Sequence, residues 1–218
     1  MGVHCINTCM NLSELEFSKS IKHASRPYQL EDIIREHGWK LLGKGMEAAV
    51  ARHPHKPYAL KLFPSHSKYT QFVKLAQQHA NNPHLPTFSR YVRPVPGTDW
   101  NYVRMELLSG AEWSNLRSSH AAELCVIWDQ VHKAAAQGHN IFWNSAVGAE
   151  DAGYMKKLAQ EHAWPDVAAC AASADPQWTQ AVQAVIAKMI QQGYRQLDLH
   201  YDNMMMRGHT LVITDPFY

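Results

Sequence analysis

Three oxygen-bearing side chains near the carboxyl end are spaced as one chemical group. Asp198 and Asn203 stand five residues apart, and Asp215 follows twelve residues later, at the end of the apolar run that begins at Leu211. Two carboxylates and a carboxamide are hard oxygen donors of the kind Mg²⁺ accepts, together with waters and substrate phosphates. A carboxylate at 198 can also accept or orient the proton of an attacking hydroxyl. Taken singly, each of these residues reads as a turn residue. The joint pattern, with apolar residues on both sides and a strand-like run leading into Asp215, is much harder to produce by chance.

A second group lies in the front half. Lys61 sits inside the run Tyr58-Ala-Leu-Lys-Leu-Phe63. A lysine at the centre of an apolar strand is costly unless its ammonium meets an anion; the alternative is an edge-strand lysine turned to water. Upstream, Gly43-Lys-Gly45 lies between two strand-like runs, with Ala48 where a third glycine of G-x-G-x-x-G would stand. Such a hairpin lets backbone N–H groups approach phosphate oxygens, although a glycine pair alone is more often a plain turn. A Rossmann reading fails because no helix follows directly, and a Walker A reading fails because no Gly-Lys-Ser/Thr closes the loop.

The elements that must position these groups follow from periodicity and punctuation. Residues 12–22 and 28–37 read as short helices split by Pro27, and Gly38 stops the second. Strands are expected at 39–42, 48–51 and 58–63, a helix at 66–80, and strands at 87–93 and 100–107 with Pro94–Gly97 as the turn between them. The texture is then helical: 119–137, with Leu124, Ile127, Trp128 and Val131 at helical spacing, then 149–163. A third helix, 176–192, is capped by Asp175, opened by Pro176 and ended by Gly193. A loop and a last strand at 210–214 close the chain. Met204, Met205 and Met206 read as packing beneath the loop.

The chain has 218 residues, 46% hydrophobic and 18% charged, with a formal net charge of +2. That balance provides a sizeable core and argues against a strongly basic nucleic-acid protein. Between Ala51 and Thr98 there are seven Lys or Arg and no Asp or Glu, which marks either an ordinary basic surface or a face turned to phosphate. No apolar run approaches the ~18 residues of a membrane span, and the first residues lack the pattern of a secretory signal. Four cysteines, Cys5, Cys9, Cys125 and Cys170, are too few and too scattered for a disulfide framework, so a soluble, reducing, intracellular setting is expected. His4, Cys5 and Cys9 find no second pair to complete a zinc site. No G-x-S-x-G elbow supports a hydrolase.

Together the glycine hairpin, the strand lysine, the D-x-x-x-x-N loop and the later Asp resemble the protein-kinase-like fold. Within it, residues 38–63 and 194–218 are most similar to the small serine/threonine kinase domain of T7-like bacteriophages. The resemblance implies an α+β, two-lobe fold. Residues 1–37 would form a helical extension, 38–110 an antiparallel-sheet N-lobe, and 111–218 a reduced, mainly helical C-lobe. It implies ATP and Mg²⁺ as cofactors, with Asp198 as catalytic base, Lys61 on the α/β-phosphates, and Asn203 and Asp215 as metal ligands. His200 stands where most protein kinases carry a catalytic-loop lysine. Gly43 and Gly45 would cover the phosphates, and Glu106, Leu107 and Leu108 fall where the adenine-binding hinge belongs. The implied activity is phosphorylation of host transcription, RNA-processing or translation proteins in the cytoplasm of an infected bacterium, with no membrane partner and no direct nucleic-acid binding.

The chain departs from that pattern in several places. Residues 66–80 contain no acid to pair with Lys61, Leu197 stands where Arg precedes the catalytic Asp, and Pro216-Phe217 follows Asp215. No activation segment follows Asp215 in this sequence. Two other readings therefore stay open: a pseudokinase that binds and inhibits a host protein, and a small-molecule phosphotransferase.

Overall fold

Leu30 and Ile34, one helical turn apart, bury helix α1 (Leu30–Glu36) against a β-sheet. The computed structural model describes residues 30–44, 48–95, 98–110, 119–143, 160, 166–199 and 203–217. It is a mixed α+β structure. The expected helix at 12–22 lies outside the described residues, as does that at 149–163 apart from Gln160. The described residues form two compact units, one holding 30–73 and 87–107, the other 74–86 and 108–217.

The first unit is built on a five-stranded antiparallel sheet. Its strands are β1 (Lys40–Lys44), β2 (Ala49–Arg52), β3 (Tyr58–Pro64), β4 (Arg93–Pro94) and β5 (Trp100–Glu106), in the order β1-β2-β3-β5-β4. Side chains alternate across a strand, and β3 is buried on both faces. Tyr58, Leu60 and Leu62 join Ala49, Ala51, Trp100 and Tyr102 in the core beneath α1. On the other face, Phe63 meets Tyr69, the first residue of helix α2 (Tyr69–Gln78), with Phe72 and Phe88 completing an aromatic group. The expected strand at 87–93 is a single bridge from Phe88 to Met105 followed by the two-residue β4. Pro94, expected in a turn, stands in this edge strand, where its missing N–H costs no ladder bond.

In the second unit, β6 (Ser109–Gly110) is followed by helix α3 (Ala121–Ala136) and β7 (Phe142–Trp143). Helices α4 (Val167–Ala172) and α5 (Pro176–Gln192) come next, then β8 (Gln196–Leu197) and the hairpin β9 (Met204–Arg207) and β10 (Thr210–Ile213). Trp178, Val182, Val185 and Met189 form the buried stripe of α5, and the Trp178 indole N–H donates to the Glu123 carbonyl of α3 at 2.8 Å. Asp175 caps α5 through the Gln177 N–H. Gly193 ends it at φ 68°, a left-handed position that favours glycine. On α3, Trp128 is only half-buried and stacks on His132. The three methionines form β9, paired to β10 on one side and to β6 on the other.

Contrary to the reading of the cysteines as unpaired, Cys125 of α3 and Cys170 of α4 form a disulfide, their Cα atoms 5.9 Å apart. It closes a loop of 45 residues, and constraint of the unfolded chain on that scale is worth about 4 kcal/mol in the entropy treatment, with ~2–4 usual in practice. Replacing both cysteines by alanine is expected to lower unfolding stability by about 2–4 kcal/mol in urea titrations, and to make stability indifferent to added thiol reductant. Equal stability of the parent chain with and without reductant would show that the bridge contributes nothing.

Candidate active site

Lys61 occupies the middle of β3, the central strand of the sheet, paired with Val50 on one side and Val103 on the other. The residue is 7% exposed, which excludes the outward-turned edge lysine. Its ammonium lies over the Tyr69 ring, 4.1 Å from the centroid. Cross-strand partners share a face, so Val50, Ala59, Val103 and Met105 lie on the same side of the sheet as Lys61. Leu42 is the extra residue of the bulge in β1 and is exposed. Gly43 sits beside it, opposite Val50, where an added Cβ would meet open space. Gly45 lies outside the described residues.

Glu106 ends β5. Its carboxylate accepts the Thr87 N–H at 2.6 Å, and its own N–H donates to the Thr87 carbonyl. Leu107 and Leu108 follow without regular structure, and the division between the two units falls between them.

The carboxyl-end group is assembled within the second unit. Leu197 and Leu199 are fully buried and alternate with half-buried Asp198. They pin the segment on both sides. Leu197 bridges to Phe217, and the Leu199 carbonyl accepts the Trp143 indole N–H at 2.9 Å. The Asn203 amide nitrogen donates to both the backbone carbonyl and the Oδ2 of Asp198, each at 2.8 Å. Both contacts are acceptors, so the amide orientation is determined and its oxygen is turned the other way. Two backbone bonds then bracket Asp215: Thr214 N–H donates to the Asn203 carbonyl, and Asp198 N–H donates to the Pro216 carbonyl, each at 2.9 Å. The fold thus gathers Asp198, Asn203 and Asp215. His200 lies outside the described residues.

No protein-family model matches this chain, and no curated protein is significantly similar to it in sequence.

The three gathered residues fit a magnesium ion by donor chemistry. All offer hard oxygens, and Mg²⁺ is usually held by one or two carboxylates, the remainder of its shell coming from waters and substrate phosphates. Among the described residues there is no group of three or more His, Cys, Asp or Glu side chains that could hold a metal by themselves. A site completed by the substrate does not require one.

Sequence reasoning missed the support behind β10. The Asn82–Leu85 segment runs beside that strand, with Ile213 N–H donating to the His84 carbonyl at 2.9 Å and His84 Nδ1 donating to the Leu211 carbonyl at 2.7 Å. Arg207 of β9 donates to the carbonyls of Pro83 and Leu85. His84 packs edge-on against Trp178 and places Nε2 3.2 Å from the Asp175 carboxylate. One histidine and one arginine among many give no periodic signal, and the contacts span more than ninety residues of sequence.

The Asp175 carboxyl is held below its ordinary 3.8, chiefly by the Gln177 N–H and to a smaller extent by His84, against the opposing effect of burial. A lowered folded-state value means that this carboxylate stabilises fully above the unfolded value near 3.8, and that the benefit disappears as pH falls through the folded value. Asp175→Ala is expected to cost about 1 kcal/mol at neutral pH through loss of the cap, with the gap to the parent chain narrowing as the pH drops below about 4. Thermal melts of both proteins across acid pH check this; a pH-independent gap would contradict the charge component.

Proposed function

We propose that this protein is an Mg-ATP-dependent serine/threonine kinase of the phage type, with the two-lobe arrangement of that fold. It would act on host transcription, RNA-processing or translation proteins in the cytoplasm of an infected bacterium, a reducing setting in which Cys125 and Cys170 would stand as thiols. The observation that carries this reading is the Asn203 amide bonded to Asp198 while the residues on either side of Asp215 are tied to both. A catalytic carboxylate and two metal-type oxygen ligands are thereby gathered at one place.

On this reading Asp198 accepts the proton of the substrate hydroxyl as its oxygen bonds to the γ-phosphorus and the bond to the ADP oxygen breaks. Asn203 bonds to the Asp198 carboxylate and so fixes its orientation toward the hydroxyl. Asn203 and Asp215 would hold Mg²⁺, which when bound supplies neutralisation of phosphate charge. Lys61 presents an ammonium to the α/β-phosphates from a buried strand, where a cation gains most from an anionic ligand. Gly43 and Gly45 would offer backbone N–H groups to phosphate, and His200 would assist the γ-phosphate. The backbone from Glu106 to Leu108 takes the adenine edge, since the Glu106 carboxylate is engaged with Thr87. Val50 and Ala59, beside Lys61 on its face of the sheet, supply an apolar surface for the base.

Asp198→Ala is expected to reduce transfer by about 10²-fold or more, the usual scale of a lost general base, while melting like the parent chain. Radiolabelled ATP, magnesium and a bacterial lysate provide the assay, read as labelled Ser and Thr. Undiminished labelling by the variant would sink the mechanism. A parent chain that labels no protein but forms a stoichiometric complex surviving Lys61→Ala and Asp215→Ala would replace it with the inhibitor reading. Turnover stimulated by an aminoglycoside or sugar would replace it with small-molecule transfer.

A further inference from the structure

Between Ala51 and Thr98 the sequence has no acid, so helix α2 brings no carboxylate to the lysine of β3. What it brings is its first residue. The Lys61 ammonium lies 4.1 Å from the centroid of the Tyr69 ring, with Lys61 7% and Tyr69 3% exposed. The ring is fixed by three aromatic neighbours, with centroids at 4.9 Å for Phe63, 5.7 Å for Phe72 and 6.0 Å for Phe88. Its backbone is fixed as well, since Tyr69 N–H donates to the Ser67 hydroxyl oxygen at the helix start. A cation over an aromatic face gains most where water is excluded, and this pair is almost wholly buried.

We infer that Tyr69 is the positioning residue for Lys61, its ring face standing where a kinase helix would otherwise present a glutamate. The inference rests on the kinase reading for its purpose, though the contact itself does not. A carboxylate would orient the ammonium and also cancel much of its charge. A ring orients it through the quadrupole and itself cancels none of that charge. Lys61 touches the nucleotide on this reading; Tyr69 acts only through Lys61.

The test compares the full-length parent chain with Tyr69→Phe, Tyr69→Leu and Lys61→Met, and with Lys61→Met combined with each Tyr69 change. Phosphate transfer is measured against Mg-ATP concentration, and stability by urea titration. Tyr69→Phe, which keeps the ring, is expected to hold kcat/KM within about threefold of the parent. Tyr69→Leu is expected to lower it about tenfold, mostly through KM for ATP, the range open to a desolvated cation–π contact. In urea, the losses from Tyr69→Leu and Lys61→Met should be non-additive, whereas a merely structural tyrosine would give additive losses. Additivity, an unchanged KM in Tyr69→Leu, or a Tyr69→Phe protein as impaired as Tyr69→Leu would each overturn the inference. A parent chain that transfers no phosphate would remove the kinase reading, and the urea cycle would then still decide whether the ring holds the ammonium.

Discussion

The amide of Asn203 is the constraint on which the candidate site depends. It makes two charge-assisted or carbonyl bonds to one residue, Asp198, while its own backbone carbonyl receives Thr214. A single residue thus fixes the orientation of a carboxylate through its side chain and the position of the strand end that carries Asp215 through its backbone carbonyl. Bonds to an ionised acceptor are roughly twice as strong as neutral ones, and they are only as useful as the backbone that holds both partners still. That backbone is held from outside the site: by buried Leu197 and Leu199, by the Trp143 indole, and by the Asn82–Leu85 segment lying along β10.

The parts of this arrangement that were legible in the sequence are those carried by local chemistry. Helix α5 runs over the residues its cap, its proline, its apolar stripe and its glycine specify, because each of those signals acts within one or two turns. The central strand β3 was legible because a run of that length, apolar except for Lys61, suits a strand buried on both faces. Asp198, Asn203 and Asp215 were legible as a set because their spacing brings them together in a loop and a hairpin, with few long-range contacts needed.

What was not legible depends on contacts distant in sequence. Residues 87–93 have strand-like composition, yet they meet β5 discontinuously: Thr87 and Ser89 bond to Glu106 and Arg104 on either side of the Phe88 bridge, and the ladder resumes only at Arg93, with Arg90 stacked on Tyr91 in between. The Cys125–Cys170 bridge required knowing that α4 packs on α3, and α4 is a six-residue helix with almost no periodic signal. Met204–Met206 read as packing beneath the loop because methionine fills irregular gaps; in the fold they form a strand paired on both sides, by β6 and β10. The role of Tyr69 was hidden for another reason. A search for the partner of a buried lysine looks for a carboxylate, and an aromatic partner carries no charge to count.

The distribution of charge narrows what could bind. Seven basic residues and no acid fall between Ala51 and Thr98, while Asp198, Asp202 and Asp215 lie within the last twenty-one residues, accompanied by one arginine, Arg207. Within the first unit, the buried ammonium of Lys61 suits an anionic ligand. Within the second, the oxygens of Asp198, Asn203 and Asp215 suit a hard cation. Each unit thus offers one sign of charge by itself, and the proposed Mg-ATP ligand carries the complement of each.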